Sequence, residues 1–141
     1  MSVQMSDIQK VPSRAQLISV FLFKLFLRLL AVVFFAAAIY VWLRAIGYWE
    51  GAENRFDTMK LPLQIYTAVM AVMLPVASVG LWTTLPWGRV IWFFAIAFQS
   101  VTLLRFPELF QFPEATLAFH LLCLAVYVLF QLLLLFIAKK E

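Results

Sequence analysis

Between Glu114 and Lys139 the chain carries no Asp, Glu, Lys or Arg, only apolar side chains and a few polar ones. About 20 helical residues cross a ~30 Å hydrocarbon core, so this run is long enough to span a bilayer. In lipid the backbone must satisfy its own hydrogen bonds, which leaves helix as the conformation for such a run. Its polar residues are ordered. Thr116, His120, Cys123, Tyr127 and Gln131 follow one another at steps of four, three, four and four, which stacks them on one helical face. Polar groups in hydrocarbon need partners, so that face is expected to meet other helices.

Composition extends the argument to the whole chain. Charged residues make up 13 % and hydrophobic ones 65 %, with mean hydropathy +0.97. A soluble domain carries roughly a quarter charged residues, so this surface cannot all face water. The 141 residues make a single domain, and one cysteine excludes an internal disulfide or a multi-cysteine metal site. The net charge of +4 comes from basic residues scattered at the ends of apolar runs. That is the positive-inside pattern of membrane proteins; the basic patch of a nucleic-acid binder is missing.

In chain order, residues 1–16 read as a cytoplasmic tail, with Pro12 breaking any early helix and Ser13 placed to cap the next one. Lys24 and Arg28 are ill suited to mid-bilayer, where a charge costs about 2.5–3.5 kcal/mol. Helix 1 is therefore expected to span about 28–46, from Arg28 to just past Arg44, with Leu17–Leu27 as an amphipathic lead-in along the inner surface. Lys24, Ala31, Ala38 and Ala45 recur every seven residues as a seam for a neighbour. Ala36-Ala37-Ala38 resembles a signal-peptide cleavage site. The charges leave only Leu29–Phe35 as an h-region, at the short limit, so helix 1 is expected to be retained.

Gly47–Leu61 is the largest hydrophilic loop, and its mixed charges read as a solvated surface. Pro62 opens helix 2, which runs to Trp82. One of its faces reads Gln64, Ala68, Ala71, Pro75 and Ser78, with Thr67 at the margin. Pro75 frees the carbonyl of Ala71, so a kink is expected there. Thr83–Arg89 is a turn, and helix 3 covers about 87–104, with Gly88, Ala95, Gln99 and Thr102 on one side. The Phe-Pro pairs in Arg105–Pro113 force extended backbone at Phe106 and Phe112, and the segment's phenylalanines, Phe110 included, are expected in the interface. Helix 4 covers about 114–138.

Orientation follows from the charges. Lys10, Arg14, Lys24, Arg28, Arg89, Lys139 and Lys140 lie on the side of the termini, seven basic residues against four on the other. Both termini are expected inside. Lys24, Arg28, Arg44, Arg89 and Arg105 mark the membrane borders. Trp82, Trp87 and Trp92 are expected at the inner interface, and Trp42, Tyr48, Trp49 and Tyr66 at the outer one.

The candidate chemistry is an intramembrane polar network of His120, Cys123, Tyr127, Gln131, Gln99 and Ser78. Tyr127 needs a partner that Gln99 or Ser78 could supply. Zinc takes about four ligands and haem iron usually two, and His120 has only Cys123 nearby. No metal or cofactor is therefore expected, a haem shared across a homodimer being the alternative. Hydrogen-bonding inside the bundle is favoured over a titrating sensor role for His120. No acidic residue lies inside a span, against the usual need of a proton-coupled exporter. With no phosphate loop, no nucleophile beside a base and no paired carboxylates, an enzyme is not expected.

Arg55-Phe56-Asp57 followed by Pro62, Leu74-Pro75-Val76-Ala77 with Gly80-Leu81-Trp82, and Trp87-Gly88 with Val90-Ile91-Trp92 carry a resemblance. Together with Pro12–Gln16, they resemble a family of small inner-membrane proteins of alphaproteobacteria, a domain of unknown function, over most of the chain. The resemblance implies a bacterial cytoplasmic-membrane location and four spans, and no mechanism. The expected object is an all-α, integral membrane, antiparallel four-helix bundle surrounded by membrane lipids. Its expected role is an accessory or scaffold subunit with a dry core, bound to a membrane protein partner or to itself as a homo-oligomer. The alternative is a small transporter or lipid-handling protein with a path along the polar face of helix 4. A haem- or quinone-associated carrier is a third reading.

Overall fold

The computed structural model describes residues 11–48 and 55–140. Expectations placed on residues 1–10, on loop residues 49–54 and on Glu141 lie outside them. The described residues contain helices and no strand: α1 (Arg14–Ala45), α2 (Leu61–Trp82), α3 (Pro86–Arg105), a 3₁₀ turn (Pro107–Leu109) and α4 (Pro113–Lys140). All four α-helices are long and apolar enough to cross a membrane, by length and composition.

The starts are set by chemistry the sequence states openly. Ser13 is extended at φ −63°, ψ 155°, and its hydroxyl accepts from the Gln16 amide at 3.2 Å. This satisfies one of the orphan donors of a first turn. Pro62 and Pro86 sit in the first turns of α2 and α3, and Pro113 begins α4, where a missing N–H costs nothing.

α1 differs from expectation. It is one unbroken helix of 32 residues, roughly 48 Å at the helical rise, and it passes Lys24 and Arg28 without interruption. Phe23 and Leu27, placed in a surface lead-in by their proximity to those charges, are buried in the core. The charges stay exposed about 100° round the same helix, and the Arg28 guanidinium lies 5.7 Å from the Trp82 ring centroid. A helix can therefore place a cation outside and a core residue inside within one turn, without a bend.

The helices meet in chain order, α1 on α2 and α2 on α3, and α4 packs back against α1 and α3. Of the seven-residue seam on α1, Ala31 and Ala38 are buried while Lys24 is exposed. The small residues let α2 come close: the Ser78 hydroxyl donates to the Ala31 carbonyl at 2.8 Å. The carbonyl of Ala71, freed by Pro75, accepts instead from the Trp42 indole N–H at 3.1 Å. Trp42 thus closes a backbone gap between two helices, a task beyond marking the outer interface.

The buried face of α2 is rotated from the one expected. Leu63, Tyr66, Thr67, Met70, Leu74, Ala77, Ser78 and Leu81 form it, while Ala68 is exposed and Gln64, Ala71 and Pro75 are half-buried. Small size alone was a poor guide; the large apolar residues fill the core. Trp92 is fully buried and Tyr66 nearly so, so neither ring faces outward from the bundle. On α3, the expected side of Gly88 and Ala95 is buried.

α2 and α3 touch backbone to backbone. A Cβ placed on Gly88 would strike the backbone of Gly80, and one on Gly80 would strike Gly88 and the Trp87 ring. Only glycine at both positions permits this crossing. The connection is Thr83–Leu85, with Thr84 at φ 57° and the Thr83 hydroxyl bonded back to the Val79 carbonyl at 2.9 Å.

Candidate functional site

Three polar side chains from three helices meet at one end of the bundle. Tyr66 lies in the second turn of α2, Gln99 two turns before the end of α3, and His120 two turns into α4. Gln99 Nε2 donates to the Tyr66 hydroxyl at 3.0 Å, and His120 Nε2 lies 2.9 Å from Gln99 Oε1. A carboxamide oxygen only accepts, so with the amide in this orientation Nε2 carries a proton. His120 is 4 % exposed, and its other nitrogen, Nδ1, has no hydrogen-bond partner among the described residues.

Aromatic packing holds the chain of bonds in place. The Phe110 ring meets Tyr66 edge-on at 5.0 Å, and Phe98 stacks on it at 6.3 Å, both within the range of favourable ring pairs. Phe110 comes from the segment between α3 and α4, where the 3₁₀ turn at Pro107–Leu109 folds the chain inward. That segment was expected wholly in the interface. Phe112 is exposed as expected, whereas Phe110 turns in and is half-buried against the site.

Beside these bonds lies a cavity of about 560 Å³, within the ~300–1,000 Å³ typical of small-molecule sites. Its apolar wall comes from the C-terminal half of α1, including Phe34, Ala37 and Val41, and from Leu74 and Phe119. Tyr66, Gln99, Thr116 and His120 supply polar atoms, and Arg44 and Glu108 bring one charge of each sign. Arg44 is half-buried there, more than a border marker.

The expected network divides into separate parts. Gln99 and His120 are brought together, but Gln99 does not serve Tyr127. Tyr127 accepts instead from Gln131 on its own helix at 3.2 Å. Ser78 is spent on Ala31, and Thr116 on the Phe112 carbonyl of its own helix at 3.0 Å. Cys123 is buried one turn beyond His120 as a free thiol among apolar neighbours. Of the other border charges, Arg89 is half-buried, and Lys24 and Arg105 are exposed. Among the described residues no three His, Cys, Asp or Glu side chains converge as a metal site would need.

Sequence reasoning missed Tyr66, Arg44, Glu108 and Phe110 as members of this site. A signal for Tyr66 existed: it falls three residues after Leu63 and four before Met70, the spacing of the core face of α2.

Residues 21–138 match the family described as Family of unknown function (DUF6163), and the chain belongs to it. No curated protein and no solved structure matches the chain.

Proposed function

We propose that this member of the family is a membrane-embedded protein that binds one small amphipathic molecule in the cavity at His120, without catalysing a reaction on it. The observation that carries the reading is a partly buried polar chain, Tyr66–Gln99–His120, set in the wall of a 560 Å³ cavity whose remaining lining mixes apolar side chains with polar ones. A site of that make-up takes the apolar body by contact and orients the head by a few polar groups. The cavity favours lipid handling over a pure scaffold.

A path running on along the whole stripe of α4 has less support. The cavity wall ends at His120, and two turns on, the Tyr127 ring packs against Phe23, Trp92 and Phe93. A blind pocket suits a binder better than a conduit.

The setting proposed is a bacterial cytoplasmic membrane crossed by four antiparallel helices. In support, the cavity gathers the C-terminal half of α1, the N-terminal half of α2, the C-terminal half of α3 and the N-terminal half of α4. The basic residues, seven against four, favour both termini inside. A C-terminal phosphatase fusion, active only outside, should then be silent; an active one overturns the orientation.

The test of binding is extraction of the purified chain from phosphatidylcholine nanodiscs, with quantification of bound amphiphile by mass spectrometry. One equivalent beyond bulk lipid is expected, and Ala37→Phe, which fills the cavity, should abolish it with an unchanged unfolding temperature. Equal recovery from both proteins would sink the reading. The accessory-subunit reading keeps one observation in its favour: 6 % of the most apolar window of α4 is buried, against 44 % for α2. A stoichiometric protein partner recovered with no amphiphile would promote it.

A further inference from the structure

We infer that the occupant of this cavity is a glycerophospholipid of the surrounding bilayer, which enters sideways through a gap between α1 and α4. The inference rests on the binding reading above and deepens it by naming the ligand class and the way in. Hydrogen bonds close three sides of the bundle at this end. The Trp42 indole N–H donates to the Ala71 carbonyl and joins α1 to α2. Gln99 Nε2 donates to the Tyr66 hydroxyl and joins α2 to α3, and His120 Nε2 meets Gln99 Oε1 and joins α3 to α4. The rings that join α4 to α1 sit at the other end of the bundle. Phe23 meets Tyr127 and Phe130 at 5.8 Å each, and Phe26 meets Phe130 at 5.7 Å.

At the cavity end α1 and α4 face each other across open space instead. Val33, Ala37 and Tyr40 of α1 line the cavity, with Thr116 and Phe119 of α4 opposite. Val33 is 44 % exposed, Tyr40 47 % and Phe119 37 %, so the cavity reaches the outside of the bundle along this seam. Around a membrane-spanning bundle that outside is lipid chain, with no water.

Depth then sorts the whole lining by chemistry. Arg44, one residue before the end of α1, stands at the rim with Glu108 and Gln111 of the connection to α4. Within two turns of the same helix ends lie the neutral polar groups of Tyr40, Tyr66, Thr67, Gln99, Thr116 and His120. Val33 lies eleven residues before Arg44 and Leu74 eight after Tyr66, roughly 16 and 12 Å farther in at the helical rise. With Phe34 they make an apolar floor. Charged, then neutral polar, then apolar is the order along a glycerophospholipid at its resting depth: the head at the border, the esters below it, the chain toward the middle of a ~30 Å core. Arg44 offers a cation to the phosphate, as basic pockets between membrane helices do, and Glu108 suits the cationic end of a zwitterionic head. A lipid already in the bilayer meets this order without turning over, its chain passing between Val33 and Phe119.

The experiment staples the gap. In a Cys123→Ala chain, Val33→Cys and Phe119→Cys are joined in detergent by a flexible, reducible bismaleimide. The delipidated protein then enters nanodiscs of deuterium-labelled phosphatidylcholine, and mass spectrometry after extraction counts the labelled lipid it keeps. The stapled chain should keep about tenfold less than the unstapled one. Reductant added in the nanodisc should restore the difference, which separates a closed gap from a misfolded chain. A control staple at the packed end, Phe23→Cys with Phe130→Cys, should leave retention unchanged. Equal retention with and without the gap staple overturns lateral entry, as does an equal loss with the control staple or a loss that reductant does not reverse. Retention of another amphiphile, sensitive to Ala37→Phe, with no labelled phosphatidylcholine overturns the phospholipid and leaves the binding reading standing. If nothing retained is sensitive to Ala37→Phe, both fall.

Discussion

His120 and Tyr127 stand two turns apart on the same face of α4, yet they live in opposite surroundings. His120 reaches across to α3 and, through Gln99, to α2, beside a cavity. Tyr127 satisfies its hydroxyl on its own helix through Gln131 and is walled by rings, with Phe23 at 5.8 Å, Trp92 at 5.5 Å and Phe93 at 5.2 Å. Each end also holds a buried nitrogen with no partner among the described residues, His120 Nδ1 at one and Trp92 Nε1 at the other. The Trp92 nitrogen is sealed among rings on a residue with no exposure, whereas His120 forms part of a cavity wall. Neither nitrogen is itself accessible, so the contrast lies in the packing around the two side chains and not in the orphan atoms. The pair teaches that a polar stripe on a membrane helix is not by itself a site; the packing around each member decides.

The sharpest way to break this comparison acts on the packed end. Gly80 and Gly88 cross at the same end as Trp92 and Tyr127, and a methyl on Gly88 would meet the Gly80 backbone. Backbone cannot rotate away as a side chain can, so α2 and α3 must separate. Gly88→Ala is expected to lose about 3 kcal/mol of stability, at the upper end of overpacking costs. The measurement is reversible unfolding in mixed micelles. A loss below about 1 kcal/mol would show that the packed end is looser than its contacts imply, and the contrast with the cavity end would fade.

The sequence exposed some of this directly and hid the rest for a physical reason. Helix starts at Ser13, Pro62 and Pro113 were readable because capping and proline chemistry are local, whereas Pro86, read as part of a turn, opens α3. The freed carbonyl of Ala71 was readable for the same reason, though its partner, Trp42, lies 29 residues earlier in the chain. The buried side of α3 was marked by Gly88, Ala95 and Gln99, since small and polar residues stand out against an apolar helix. On α2 the same rule misled. Leucine and methionine face lipid and core alike, so apolar periodicity carries little contrast, and the eye goes to alanines and proline that turned out to be peripheral. Tyr66 was not read as a core residue because an aromatic near a helix end is usual in an interfacial belt. Which polar residues pair across helices depends on relative rotation, and none of these helices fixes its rotation by sequence alone.

The smallest expected effect is also the finest test of the comparison. Tyr127→Phe removes a hydroxyl that accepts one bond from Gln131 and leaves the ring in place among Phe23, Trp92 and Phe93. The loss should be about 0.6 kcal/mol, the average for such a bond in a membrane protein, because the separated helix also finds partners. Tyr66→Phe is the same chemical change at the other end and should cost a similar amount in stability. The two should part in binding: Tyr66→Phe weakens the amphiphile, while Tyr127→Phe, sealed behind rings, leaves its affinity within about twofold, below ~0.5 kcal/mol. Paired unfolding and binding curves on the two variants make the measurement. If Tyr127→Phe weakens binding as much as Tyr66→Phe does, then the stripe acts as one unit and the division between its two ends is wrong.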